Sequence, residues 1–428
     1  MNELKETEAA PTRALLISVR EGQTDEEEAA SLSKELAGLA KTLGVDIVGQ
    51  ETVRVRDKQP KFGMGTGKAE EIAGQAKALE VDCVIFDQDI SPSQQRNWEE
   101  ISGVSVLDRQ EVIIQIFAAR AKTKEAALQV ELARLKHSLP RLAHKYIDLS
   151  RQRGGRYGTK GSGETQLEID RRNVQKRIHQ LGGELEEVRK NRATQRKRRE
   201  RVPIPACALV GYTNAGKSSL LNAMTRADAF VEDKLFATLD PTTRRLELGK
   251  GRPILLTDTV GFIRRLPHDL VDAFHATLEE AALADLVIQV LDASDPDVDR
   301  HFDTTMTVLK ELGAENTPML VALNKTDLLA AGAEDGEARL ADLRKRYAES
   351  VAISAATGAG LEELARRVDL LLSGGVRRFR FPATRHDLAA LLHRSGSVTA
   401  ENYADDYIEM EARVGERALG ALKEYLVD

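Results

Sequence analysis

A multi-domain α/β chain, centred on a mostly parallel sheet with helices on both faces, is what this sequence predicts. Three observations predict it. Short apolar runs that read as buried strands lead into helical stretches, as Ala206 to Val210 does before Ser218 to Ala227. A glycine-rich loop, Gly211 to Ser218, stands between that strand and that helix. The length of 428 residues exceeds what one ordinary core organises, so two to four units are expected at about 150 residues each.

Composition narrows the class. A hydrophobic content of 42% and a charged content of 30% belong to a globular chain and exclude a fibrous or wholly disordered one. No run approaches the roughly 18 to 20 apolar residues of a membrane span. The stretch Met1 to Ala10 is acidic and polar, so a cytoplasmic protein without stable membrane insertion is expected. Cys83 and Cys207 lie in apolar runs without metal-ligand spacing and read as buried thiols. The net charge of −6 hides basic patches. Between Leu132 and Gly163 eight Lys or Arg stand against Asp148 alone, and from Arg189 to Arg201 eight more stand against Glu200. Local patches of this kind set affinity for phosphates.

Taking the chain in order, Arg13 to Arg20 reads as a strand, Asp25 to Leu43 as a helix and Val81 to Phe86 as a second buried strand, an α/β domain over 1–120. Gly63 to Lys68 is similar to a phosphate cradle. It lacks the motif's first glycine, since Phe62 stands five residues before Gly67, and Ala69 stands where a Mg²⁺-binding hydroxyl belongs, so a plain helix-entry turn near Ala69 is expected. Leu128, Leu132, Leu135, Leu139 and Leu142 form one apolar seam, and Leu167, Val174, Ile178, Leu181, Leu185 and Val188 form another. Two seams predict an antiparallel helical hairpin over 121–201, weakened by Gly182 and Gly183. The connecting loop, about 150–164, carries Arg151, Arg153, Arg156 and Lys160 among five glycines, a backbone able to fit an irregular polyanion, and RNA contact is expected there. Glu164 to Glu168 opens the return helix. Pro203 and Pro205 end the basic run, placing a boundary near 202. After a nucleotide-binding domain over 202–373, a small α+β domain over 374–428 is expected, with strands at Arg377 to Phe381 and Tyr407 to Val414 and helices at Arg385 to Ser395 and Gly415 to Leu426.

The chemistry is concentrated in 202–373. In Gly211, Tyr212, Thr213, Asn214, Ala215, Gly216, Lys217, Ser218 and the following Ser219, backbone N–H groups at a helix N-terminus can bind phosphates. Lys217 can reach the β and γ oxygens, and the Ser218 hydroxyl can ligate Mg²⁺. Asp258 ends the apolar run Leu255 to Thr257, where it can hold Mg²⁺ through water, and the Gly261 amide can sense the γ-phosphate. Asn324, Lys325 and Asp327 supply base recognition: a carboxylate accepts only, matching the N1–H and 2-amino donors that guanine has and adenine lacks. Lys325 can lay its stem over the base, and Asn324 can tie the two loops together. Ser354 and Ala355 end the last strand and offer a backbone N–H to guanine O6. Between Lys217 and Asp258 a mobile loop must bring a threonine to Mg²⁺ and the γ-phosphate; Thr238 is the first choice and Thr242 the alternative. Phe262 occupies the position after Gly261 where many such switches carry glutamine. Its ring cannot activate water, so slow intrinsic hydrolysis and partner-dependent positioning are expected.

With these residues the chain resembles the HflX family, within the Era and Obg group of translational GTPases. Gly158 to Arg171 resembles that family's glycine-rich linker, and Leu235 to Pro241 with Gly261 to His268 resembles its two switches. The resemblance runs from about residue 12 to 373, with Lys160 where arginine is frequent. It implies a P-loop GTPase that binds GTP and GDP with Mg²⁺, associates with the large ribosomal subunit and its rRNA, and splits or rescues stalled ribosomes. A monomer is expected. The alternatives are a GTP switch acting on another RNA or protein partner, a scaffold with a vestigial nucleotide site, and an ATP-driven RNA remodeller using Gly63 to Lys68.

Overall fold

The computed structural model describes residues 12–22, 26–152, 162–199, 204–225, 235–248, 252–265, 280–330, 334–414, 419 and 422–427. Strand β1 (Arg13–Glu21) opens the chain, and its run Ala14 to Ile17 is at most 2% exposed, as a parallel strand covered on both faces requires. It is followed by α1 (Glu26–Thr42), β2 (Asp46–Val55), α2 (Thr66–Ala78), β3 (Cys83–Phe86), α3 (Pro92–Ser102), β4 (Ser105–Asp108) and α4 (Arg109–Arg120). The strands pair in parallel in the order β2-β1-β3-β4. Trp98 on α3 fills the space beneath them, edge-on to Phe62 and donating its indole N–H to the Phe62 carbonyl at 3.0 Å. Helix α2 starts at Thr66, earlier than Ala69, so Lys68 lies in its first turn. There it pairs with Glu51 at 2.5 Å and Glu71 at 2.9 Å, the behaviour of a structural helix-entry lysine.

Helices α5 (Lys124–Gln152) and α6 (Ser162–Arg199) form the expected hairpin, although α6 begins at Ser162, before Glu164. Leu128, Leu181 and Leu185 are buried together, with Leu132 and Leu135 packed against them. A two-pronged bond from Arg177 to Glu131, at 2.8 and 3.0 Å, joins the two helices. By compactness the chain divides between Glu186 and Glu187, within α6.

The second unit carries β5 (Ala206–Val210), α7 (Lys217–Thr225), β6 (Thr242–Leu248), β7 (Arg252–Asp258), β8 (Leu286–Asp292), α8 (Val298–Glu311), β9 (Met319–Asn324), α9 (Thr326–Ala330), α10 (Glu334–Arg346), β10 (Val351–Ala352) and α11 (Leu361–Ser373). Their order is β10-β9-β8-β5-β7-β6, parallel except for β6, which runs antiparallel to β7. Leu209, Leu256, Ile288 and Ala322 make the centre of its core. Because every parallel strand points the same way, β5, β7 and β9 deliver their C-terminal loops to one edge, where ligands of such sheets bind.

Beyond α11, β11 (Val376–Pro382), α12 (His386–Ser395), β12 (Gly396–Tyr403), β13 (Tyr407–Val414) and β14 (Leu426–Val427) form an antiparallel sheet in the order β12-β13-β11-β14. One expectation is corrected at its C-terminal end. Of the helix expected over Gly415 to Leu426, residues 415–418 and 420–421 lie outside the described residues, Lys423–Tyr425 form a 3₁₀ turn, and Leu426 pairs with Phe379 as an edge strand. Strand β12 has no counterpart among the elements expected from sequence; its stretch Ser397 to Glu401 is short on large apolar residues, and its hydrogen bonds come from β13.

Candidate nucleotide site

The loop after β5 takes its form from its own residues. Gly216 has φ +94, and a Cβ there would come 2.3 Å from Asn324 Nδ2, so only glycine lets the loop meet Asn324. Gly261 is a second close approach: its Cβ would lie 2.7 Å from Thr213 Cα and 3.0 Å from Lys217 Nζ. Lys217 is buried, and its ammonium donates to the carbonyls of Gly211 at 3.0 Å and Tyr212 at 2.9 Å. Burial pulls its pKa down to about 8, against the opposing pull of Asp258.

Three oxygen ligands meet beside it. Ser218 Oγ donates to Asp258 Oδ2 at 2.6 Å, Thr238 Oγ1 donates to the same oxygen at 2.8 Å, and the two hydroxyls are 2.8 Å apart. Asp258 is 1% exposed, and its Oδ1 is buried without a hydrogen-bond partner. Burial raises this carboxyl's pKa, opposed by Lys217, Ser218 and Thr238. Two hydroxyls and a buried carboxylate with an unsatisfied oxygen are the hard donor set that Mg²⁺ takes, so the residues fit that ion. The choice between the two threonines is resolved by position: Thr242 is exposed and pairs across β6 and β7, while Thr238 joins the cluster.

The base-recognition residues also converge. Asn324 is buried, donating to the Ala215 carbonyl at 2.8 Å and accepting from Ala355 N–H at 3.0 Å, which ties three loops together. Of the strand-end N–H groups expected to offer one to guanine O6, that of Ala355 is thus engaged with Asn324, and that of Ser354 donates to the Ala359 carbonyl at 2.9 Å. Ser354 donates to Asp327 Oδ1 at 2.6 Å and orients the carboxylate. Lys325 pairs with Asp292, at the end of β8, at 2.8 Å, a partner with no motif to mark it in the sequence. Thr213, Asn214, Gly216, Lys217, Ser218, Ser219, Thr238 and Gly261 line one cleft. Phe236, Ala237 and Thr259 line it too; they lie within the expected switch and Asp258 to Gly261 stretches but are not among the site residues expected from sequence. Phe262 is buried; its N–H donates to Gly211 O at 3.1 Å and its carbonyl accepts from Thr213 N–H at 2.7 Å. Of the basic loop residues, Arg151 lies in the last turn of α5, and Arg153, Arg156 and Lys160 fall outside the described residues.

Comparison with known proteins decides the family. Three family descriptions match successive stretches: "GTP-binding GTPase N-terminal" over residues 30–118, "GTP-binding GTPase Middle Region" over 120–199 and "50S ribosome-binding GTPase" over 206–325. The GTPase HflX of Akkermansia muciniphila is 46% identical over 439 residues, spanning 100% of both chains. The chain belongs to the HflX family of GTPases. The Escherichia coli K12 member is 42% identical over 375 residues, 87% of each chain. A crystal structure of a GTP-binding protein from Sulfolobus solfataricus in complex with GDP is 26% identical, covers 84% of this chain and 98% of that one, and has a TM-score of 0.44. As an HflX-family protein the chain is a P-loop GTPase. Among the described residues no helix is long and apolar enough to cross a membrane.

Proposed function

We propose that this GTPase is a cytoplasmic monomer that associates with the large ribosomal subunit and splits or rescues stalled ribosomes. The observation that carries the nucleotide part is the meeting of the Ser218 and Thr238 hydroxyls on Asp258 Oδ2 beside Lys217, with Asp258 Oδ1 buried and without a hydrogen-bond partner. Ser218 and Thr238 would hold Mg²⁺ directly and Asp258 through water. The ion, when bound, neutralises charge on the β and γ oxygens. Lys217 moves from the Gly211 and Tyr212 carbonyls to the phosphates, and the Gly261 amide donates to the γ-phosphate. Asp327 accepts from the base N1–H and 2-amino group. Phe262, the residue directly after Gly261, cannot orient water, because its ring is apolar and buried, so hydrolysis is slow until a partner completes the site.

The ribosomal partner is supported by the family description over 206–325 and by the basic glycine-rich loop with Arg151, Arg153, Arg156 and Lys160. We place domain boundaries near 120, 201 and 373; the matched stretches 30–118, 120–199 and 206–325 support the first two. GTP turnover measured with and without purified large ribosomal subunits tests the reading. Stimulation of about tenfold or more is expected, with co-pelleting strongest in the GTP-bound form. Equal turnover and no pelleting overturn it.

A further inference from the structure

The γ-phosphate contacts depend on where Thr238 and Gly261 stand, and two neighbouring side chains of the phosphate loop hold the segments that carry them. Thr213 Oγ1 accepts the backbone N–H of Phe236 at 2.8 Å, two residues before Thr238. Tyr212 Oη accepts the backbone N–H of Arg264 at 2.9 Å, three residues after Gly261. Both held segments turn through a left-handed non-glycine residue, Phe236 at φ 54 and Arg265 at φ 54. Such conformations persist only where surrounding contacts impose them.

The Tyr212 arm is also braced from behind. Its ring stacks on His301 of α8, with centroids 3.7 Å apart and planes 15° from parallel, and both residues are buried. Two backbone bonds between residues 211–213 and Phe262 run alongside. The phenol therefore cannot swing away from Arg264 unless His301 moves as well.

We propose that Tyr212, braced by His301, is a positioning residue for GTP hydrolysis: its phenol oxygen holds the Arg264 backbone and so keeps Gly261 aimed at the γ-phosphate. The inference rests on reading this cleft as the GTP site. It gives Tyr212 a role for its side chain, whereas nucleotide-binding loops are ordinarily described through their backbone. GDP makes no γ-phosphate contact, so its binding does not draw on this arm.

Tyr212→Phe keeps the ring and the stack and removes only the acceptor. It should lower kcat and the affinity for mant-GMPPNP by about three- to tenfold, the effect of one neutral hydrogen bond. Affinity for mant-GDP and the thermal midpoint should stay close to wild type. His301→Ala, which removes the brace, should shift GMPPNP against GDP in the same direction. A wild-type kcat in Tyr212→Phe overturns the proposal. So does a parallel loss of GDP affinity, GMPPNP affinity and thermal midpoint, which marks a structural role alone. Lys217→Ala separates this from the underlying reading. If it retains wild-type nucleotide binding and turnover, the site itself is misassigned. If it is inactive while Tyr212→Phe equals wild type, only the positioning role fails.

Discussion

Asp327 illustrates how a single side chain can set base preference. Its Oδ1 accepts from Ser354 at 2.6 Å, which fixes the plane of the carboxylate, and a carboxylate can meet guanine's two donors only as an acceptor. Asp327→Asn presents a donor to one of them. Guanine nucleotide affinity should fall by about 2 to 4 kcal/mol, roughly 30- to 1000-fold, through unpaired donors. Xanthine nucleotides, with a carbonyl in place of the 2-amino group, should become the better ligands. Competition of GDP and XDP against mant-GDP reads the ratio, and an unchanged ratio removes Asp327 from base recognition.

At the scale of elements, the α5–α6 hairpin rests on apolar packing and the β4–α4 corner on buried charge. Leu181 is fully buried against Leu128 and Leu185, so Leu181→Ala should cost about 2 to 5 kcal/mol through reduced burial and the cavity left behind. Gly183 lies inside α6, and a Cβ there meets nothing within 4 Å, so Gly183→Ala should stabilise by about 0.5 to 1 kcal/mol. Denaturant midpoints check both signs, and two shifts in the same direction would contradict the hairpin as described.

At the corner, Asp108 caps α4 through the Glu111 N–H at 2.8 Å and pairs with Arg141 at 2.6 Å and His137 at 3.3 Å. Burial pushes its carboxyl up, but His137, Arg141 and the Glu111 N–H together hold it below the usual range. A lowered carboxyl contributes stability above its unfolded value near 3.9 and loses it as pH falls through the lower folded value. Burial shifts neighbouring Glu111 the other way. Asp108→Asn isolates the first effect. Wild type should lose thermal stability faster than the variant as pH falls below about 4, and superposed midpoint curves would deny the carboxylate that role.

For the whole molecule, the proposed function assigns guanine recognition and ribosome binding to different parts of the chain. Replacing Arg151, Arg153, Arg156 and Lys160 with Ala removes up to four phosphate partners. Ribosome affinity should fall, and the logarithmic salt slope should flatten by about 0.7 to 0.9 for each phosphate no longer neutralised, while mant-GDP affinity stays as in wild type. Unchanged affinity and slope would make the loop a connector and shift attention to the basic run Arg189 to Arg201.

The sequence by itself determined the nucleotide loop, Asp258 at a strand end, and Asn324 and Asp327. Each is encoded within a few consecutive residues, because a strand followed by a glycine-rich turn and a helix N-terminus is a local arrangement. Tertiary structure alone decided what depends on residues far apart in the chain. Thr238 prevails over Thr242 because its hydroxyl reaches Asp258, twenty residues on. Asp292 meets Lys325, and His301 meets Tyr212, through packing that no periodicity marks. Strands β12 and β14 were illegible for the same reason: their hydrogen bonds come from β13 and β11, and a segment that is brief or short on large apolar residues becomes a strand only when such a partner lies beside it.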